Sequence, residues 1–89
     1  MANLPVIVRA TRASAAALDA MARHARAAAE ASRIIESNTR MAYFGAITES
    51  AAAMGNRVAM DHKNRATMQW HKARGRYERA NLKLARNPL

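Results

Sequence analysis

The sequence predicts an all-α protein built as a hairpin of two long helices. Both prolines, Pro5 and Pro88, lie near the ends of the 89-residue chain, so no residue between them carries the restriction that breaks helices. The interior consists mainly of Ala, Arg, Met, Glu and Lys, which lose little side-chain freedom in a helix. A weak break at 37–39 (Ser-Asn-Thr) then predicts a first helix over about residues 12–36 and a longer one over about 39–86.

Two other layouts of the helices remain open. Gly55-Asn56 is a second candidate break, because Gly often ends a helix in the left-handed conformation, and a break there gives a three-helix arrangement. No break at all gives one continuous helix. Residues 1–10 are expected to form an extended N-terminal arm, since Leu4–Val8 is mostly β-branched and contains a proline, and residues 11–89 to form a single helical domain.

The composition indicates the compartment in which the chain is expected. There is no Cys, so neither a disulfide framework nor a thiolate metal site is expected. The apolar run Val6–Val8 is too short for the core of a signal peptide, and no apolar stretch long enough to span a membrane follows it. We therefore expect synthesis in the cytoplasm without a signal peptide, and no membrane span.

Large apolar side chains are scarce. The hydrophobic fraction is 51%, but 23 of these residues are Ala, which contributes little apolar area, and there are only four aromatic residues. Apolar residues nevertheless recur at steps of three and four, and the later ones keep a coiled-coil period. This combination predicts that the helices pack in an oligomer, along a seam formed by Leu18, Met21, Ile35, Ile47, Met54, Val58, Ala66, Trp70, Ala73, Tyr77 and Leu84.

The positive charge is concentrated in the last third of the chain. The net charge is +9, and residues 57–89 hold nine Lys or Arg against two acids. Six of these cations follow adjoining rows beside the predicted seam: Arg65, Lys72, Arg76, Arg79, Lys83 and Arg86. So many like charges predict an acidic partner, either nucleic acid bound nonspecifically through its phosphates or an acidic surface of a neighbouring protein.

Two further interpretations of the cations stay open. In the first, the cations flank the seam as a solvated edge with no specific partner. In the second, the cations contact an anionic membrane surface. The membrane interpretation is the weakest, because the apolar face alternates with Ala and its insertion would gain little area. Trp70 and Tyr77 lie with the apolar row, so a base-stacking platform among the cations is not expected.

No constellation for catalysis is visible. His24, His62 and His71 are far apart, the six carboxylates mostly have Arg within helical reach, and the three glycines are isolated. We expect no enzyme, no catalytic residue, no metal or other cofactor, and no small-molecule substrate.

The composition of this sequence resembles that of two groups of known proteins. Long Ala- and Arg-rich helices with scattered Met and Gln resemble small internal or structural proteins of tailed bacteriophage virions, which implies a subunit incorporated into a virion near packaged DNA. The segment 42–64, with Tyr43, an Ala run and Met-Gly-Asn, is similar to the ribbon-forming proteins of bacterial R-bodies.

The sequence as a whole predicts a non-enzymatic, self-assembling helical subunit of a larger assembly. Its partners are copies of itself or other subunits, and its basic C-terminal helix faces nucleic acid or an acidic partner. The alternatives are a free-standing nonspecific DNA- or RNA-binding protein and an R-body-like ribbon or filament subunit.

Overall fold

The computed structural model describes residues 3–88, which form a hairpin of two long helices. Helix α1 spans Leu4–Tyr43 and helix α2 spans Glu49–Arg86, and no strand occurs within 3–88. The predicted all-α hairpin is confirmed. The chain divides into two compact units, which we call the terminal unit (residues 1–23 and 69–89) and the turn unit (24–68).

Helix α1 begins earlier than the sequence predicts. The extended arm predicted over 1–10 is wrong for residues 4–10, which are helical, while residues 1 and 2 lie outside the described part. Asn3 caps the helix: its Oδ1 accepts from the Val6 N–H at 3.3 Å, and its carbonyl accepts from the Ile7 N–H at 2.9 Å. Pro5 fits the first turn, where its missing N–H costs no helical hydrogen bond. Cap and proline together outweigh the β-branched run.

The connection between the helices lies at residues 44–48. Gly45 has a φ of +75°, and α1 ends in a Schellman motif in which the Ala46 N–H donates to the Met41 carbonyl at 2.8 Å and the Gly45 N–H to the Ala42 carbonyl at 3.1 Å. Helix α2 then starts with an N-cap, because Thr48 Oγ1 accepts from the Ala51 N–H at 3.0 Å.

The two predicted breaks are both wrong, since residues 37–39 lie within α1 and Gly55-Asn56 within α2. Their polar side chains bond across the turn unit instead of ending a helix. Asn38 Nδ2 donates to Asn56 Oδ1 at 3.2 Å, and Asn56 Nδ2 donates to Thr39 Oγ1 at 3.3 Å. The three-helix and single-helix layouts are therefore excluded for the described chain.

The buried residues of both units are alanines. The terminal unit buries Ala10, Ala17, Ala20, Ala73 and Ala80, and the turn unit buries Ala31, Ala52, Ala59 and Ala66. On α2 these alanines recur every seven residues, the period of a coiled coil. Small side chains in this row allow the two backbones to approach closely. No polar or charged residue is buried within residues 3–88.

Candidate polyanion-binding groove

The terminal unit carries most of the net charge. It holds nine Lys or Arg against two acids, a net charge of +7. Both acids already have a partner: Asp19 contacts Arg23 at 3.6 Å, and Glu78 accepts from Arg74 Nε at 3.0 Å. The other seven cations form no ion pair with a carboxylate of residues 3–88. They are Arg9, Arg12, Lys72, Arg76, Arg79, Lys83 and Arg86.

Five of these cations surround one groove between α1 and α2 of the terminal unit. The groove has a volume of about 550 Å³ and an apolar floor that includes Val6 and the buried Ala10 and Ala80. All five cations are exposed to solvent. We call this site the basic groove, and its cations are Arg9 from α1 and Arg76, Arg79, Lys83 and Arg86 from α2.

The local sequence explains why α2 accommodates these cations. Arg76, Arg79, Lys83 and Arg86 follow one another at steps of three and four, which places them on one side of the helix. Lys83 and Arg86 lie in the last turn, where cations stabilise the partial negative charge of a helix C-terminus. Asn87 Nδ2 also donates to the Lys83 carbonyl at 2.8 Å, which satisfies one of the terminal carbonyls.

Arg9 is the site residue that sequence reasoning missed. The predicted extended arm includes this residue, whereas in the structure it lies on α1 next to the buried Ala10 and lines the basic groove. Its neighbour Arg12 lines a shallower depression of about 390 Å³ with Arg9 and Leu4. The missed signal was Asn3 ahead of Pro5, a cap followed by a first-turn proline, which predicts that the helix already includes Arg9.

The six cations predicted to meet an acidic partner, Arg65, Lys72, Arg76, Arg79, Lys83 and Arg86, are brought together only in part. Four of these six residues line the basic groove. Lys72 belongs to the terminal unit and is exposed but does not line the groove, and Arg65 is an exposed residue of the turn unit.

The residues of the predicted seam differ in burial within the single chain. In the terminal unit Ala73 is buried, Met21, Trp70, Tyr77 and Leu84 are half-buried, and Leu18 is exposed. In the turn unit Ala66 is buried, Ile35 and Ile47 are half-buried, and Met54 and Val58 are exposed. Contact between α1 and α2 thus accounts for part of the apolar pattern, while the role of the seam between copies of the chain stays a prediction.

Residues 3–88 lack the features of two other kinds of site, a metal centre and a membrane-crossing helix. No group of three or more His, Cys, Asp or Glu side chains within that range is arranged to hold a metal ion. Neither helix contains, in its described residues, a stretch long and apolar enough to cross a bilayer. No protein-family model, curated protein or solved structure matches this chain.

Proposed function

We propose that this chain is a non-enzymatic helical subunit of a larger assembly, and that its terminal unit binds the phosphate backbone of nucleic acid. The observation that supports binding is the basic groove, where five cations from two helices meet without a neutralising carboxylate among the described residues. Like charges gathered in this way repel one another, and a polyanion relieves that repulsion.

The chemistry of the basic groove favours phosphate as the ligand. Four of its five cations are Arg, whose planar guanidinium binds phosphate oxygens through two parallel hydrogen bonds. The aromatic residues Trp70 and Tyr77 do not line the groove, so stacking on bases contributes nothing there. Contacts confined to the phosphate backbone of nucleic acid do not distinguish one base sequence from another, and the proposed binding is therefore nonspecific.

The assembly part of the proposal is supported by the small side chains of the core. All nine buried residues within 3–88 are alanines, whereas twelve large apolar residues of the same range are exposed to solvent. A contact made of Ala removes little apolar area from water, so a short chain of this kind gains stability when companions cover the remaining apolar surface.

The test is binding to a labelled duplex and a labelled single strand over a range of salt concentrations. With about five phosphate contacts, the logarithm of the duplex affinity should fall with log salt at a slope of about −4 or steeper. Arg79→Gln with Arg86→Gln should lower the affinity about tenfold or more and make the slope less steep by about two.

Two controls make this test specific to the basic groove. Arg26→Gln with Arg57→Gln removes the same charge from exposed, unpaired Arg of the turn unit and should change the affinity much less. Lys83→Gln should likewise weaken binding more than Lys72→Gln, which lies on the same helix outside the groove. Equal losses within either matched pair, or no binding of either strand form at low salt, would overturn the proposal.

The same groove also supports a free-standing nonspecific DNA- or RNA-binding protein. The two candidates differ in their mass in solution, measured at low and high salt with and without nucleic acid. A single-chain mass without nucleic acid, at both low and high salt, supports the free-standing protein, and a multi-chain mass without nucleic acid supports the assembly subunit.

A further inference from the structure

We infer that the terminal unit carries a second interaction surface, which packs against a second copy of this chain. It lies on the opposite edge of the helix contact from the basic groove. This inference deepens the assembly part of the proposed function by naming the face and its partner, and it does not depend on nucleic-acid binding.

A hydrogen bond between the helices marks this edge of the contact, since Ser14 Oγ donates to Asn81 Oδ1 at 3.1 Å. Residues at steps of three, four or seven from this pair lie on the same side of their helix. Several of these positions, together with Trp70 one heptad before Tyr77, hold large apolar side chains, while Arg74 and Glu78 beside them form an ion pair. We call this set the apolar face: Ile7, Leu18 and Met21 on α1, and Trp70, Tyr77 and Leu84 on α2.

The apolar face and the basic groove are separated by the alanine row. On α2, Arg76 and Lys83 precede Tyr77 and Leu84 by one residue, a rotation of about 100° around the helix. The buried Ala80 is one turn from residues of both sets and lies between them. The terminal unit therefore presents cations on one edge of its contact and large apolar side chains on the other.

The single chain leaves the apolar face incompletely covered. Leu18 is 49% exposed and the other five residues are only half-buried, whereas the buried alanines of the terminal unit are 0–6% exposed. Two packed helices form one layer, and the apolar face of a layer is buried only when a second layer covers it. The residues best able to supply hydrophobic stabilisation are thus the ones that the hairpin itself leaves in contact with water.

Charge identifies a second copy as the partner that covers this face. Two copies of a chain with a net charge of +9 repel each other unless they meet where the cations are absent or neutralised. The apolar face contains no charged residue, and Arg74 beside it pairs with Glu78 at 3.0 Å and lies over the Trp70 ring at 5.7 Å. An acidic partner would instead be attracted to the basic groove, so the neutral face is the one that suits a like-charged copy.

The test measures the mass of the chain without nucleic acid by sedimentation equilibrium. The wild type should have twice the single-chain mass of 9.8 kDa. Leu18→Glu places a carboxylate in the proposed interface and should weaken self-association about a hundredfold. Leu82→Glu is the matched control: Leu82 is 51% exposed, against 49% for Leu18, but lies outside the apolar face, and its replacement should leave the mass unchanged.

A second measurement uses the wild type alone, in case Leu18→Glu does not fold. Trp70 is the single Trp of the chain, so its emission reports on the apolar face. On dilution the emission should move to longer wavelength at the concentration where the mass falls, and the melting temperature should fall with it.

Several outcomes would overturn the inference. One is that the wild type stays a single chain at about 100 µM and its melting temperature does not depend on concentration. Another is that Leu18→Glu and Leu82→Glu change the mass equally. A third is that Leu18→Glu leaves the mass unchanged. Failure of the groove proposal looks different: the nucleic-acid affinity then does not respond to Arg79→Gln with Arg86→Gln, while the two-copy mass persists.

Discussion

Individual small residues set how closely the two helices approach. Ala73 is fully buried at 0% exposure. Within the turn unit, Gly55 of α2 lies next to the side chain of Asn38 from α1. A Cβ at position 55 would come within 2.8 Å of Asn38 Nδ2. The sequence predicts Gly55 as a candidate helix end, but in the structure the residue lies inside α2, close to a side chain 17 residues away in the chain.

The two glycines inside α2 should respond differently to Ala. At Gly75 an added Cβ meets only Arg79 Nη1 at 3.3 Å, the end of a flexible exposed side chain. Gly75→Ala should therefore stabilise the fold by about 1 kcal/mol through helix propensity. Gly55→Ala should show no net gain, because Asn38 must shift and weaken its hydrogen bond to Asn56.

The cause of that difference can be checked in an Asn38→Ala background. There Gly55→Ala should recover a gain of about 1 kcal/mol, since the obstructing amide is absent. The measurement is the free energy of unfolding in urea at one fixed protein concentration. If Gly55→Ala and Gly75→Ala stabilised the wild type equally, close contact with Asn38 would not be the reason for a glycine at 55.

At the scale of the elements, composition predicts the helices, but the connection between them lies at 44–48 and not at the predicted break. Ser, Asn and Thr favour caps because their side chains bond nearby backbone, and this preference suggested a break at 37–39. In the structure Asn38 and Thr39 bond to Asn56 across the turn unit, so their polar groups are satisfied without ending the helix. The real signals, Gly45 followed by Thr48 and Glu49, were present in the sequence as a C-terminal glycine and an N-cap.

Gly45 should be the most sensitive residue of the turn. Its φ of +75° is strained for residues with a Cβ, while nothing lies within 4 Å of a Cβ added there. Gly45→Ala should thus destabilise the fold by about 1 kcal/mol through backbone strain alone, and Gly45→Asn should cost less because Asn tolerates the left-handed region. Urea unfolding tests both variants, and an equal cost would contradict this account.

At the scale of the whole molecule, the charge is divided unevenly between the units. The terminal unit carries +7, whereas the turn unit has six cations and four acids, a net charge of +2. Two of those acids already form pairs, Glu30 with Arg33 and Glu36 with Arg40. Repulsion within the folded chain should therefore be greatest in the terminal unit.

Salt should affect stability and nucleic-acid affinity in opposite directions. Screening weakens the repulsion within the terminal unit, so raising NaCl from about 20 to about 300 mM should raise the melting temperature by several degrees. The same change should lower the affinity for nucleic acid. Helix melting followed by circular dichroism tests the first effect. The rise should be smaller in Arg79→Gln with Arg86→Gln, and a melting temperature that falls with salt would contradict the expected repulsion.

The candidate site could be predicted from the sequence only where its residues share one helix. Arg76, Arg79, Lys83 and Arg86 follow from helical spacing alone, because positions three and four apart lie on one side of a helix. Arg9 could not be joined to them by spacing, since it is far from them in the chain and reaches the basic groove across the contact between α1 and α2.

The sequence by itself determined the helical state of the chain, the charge of its last third and the recurrence of apolar residues at coiled-coil spacing. These are local properties, set by side-chain entropy and by the periodicity of one helix. Only the tertiary structure decided which of the cap and turn signals end a helix, that alanines form the contact, and that Arg9 joins the basic groove while Leu18 remains exposed. Those features depend on the register of α1 against α2, which the turn at 44–48 and the close approach of small side chains set together.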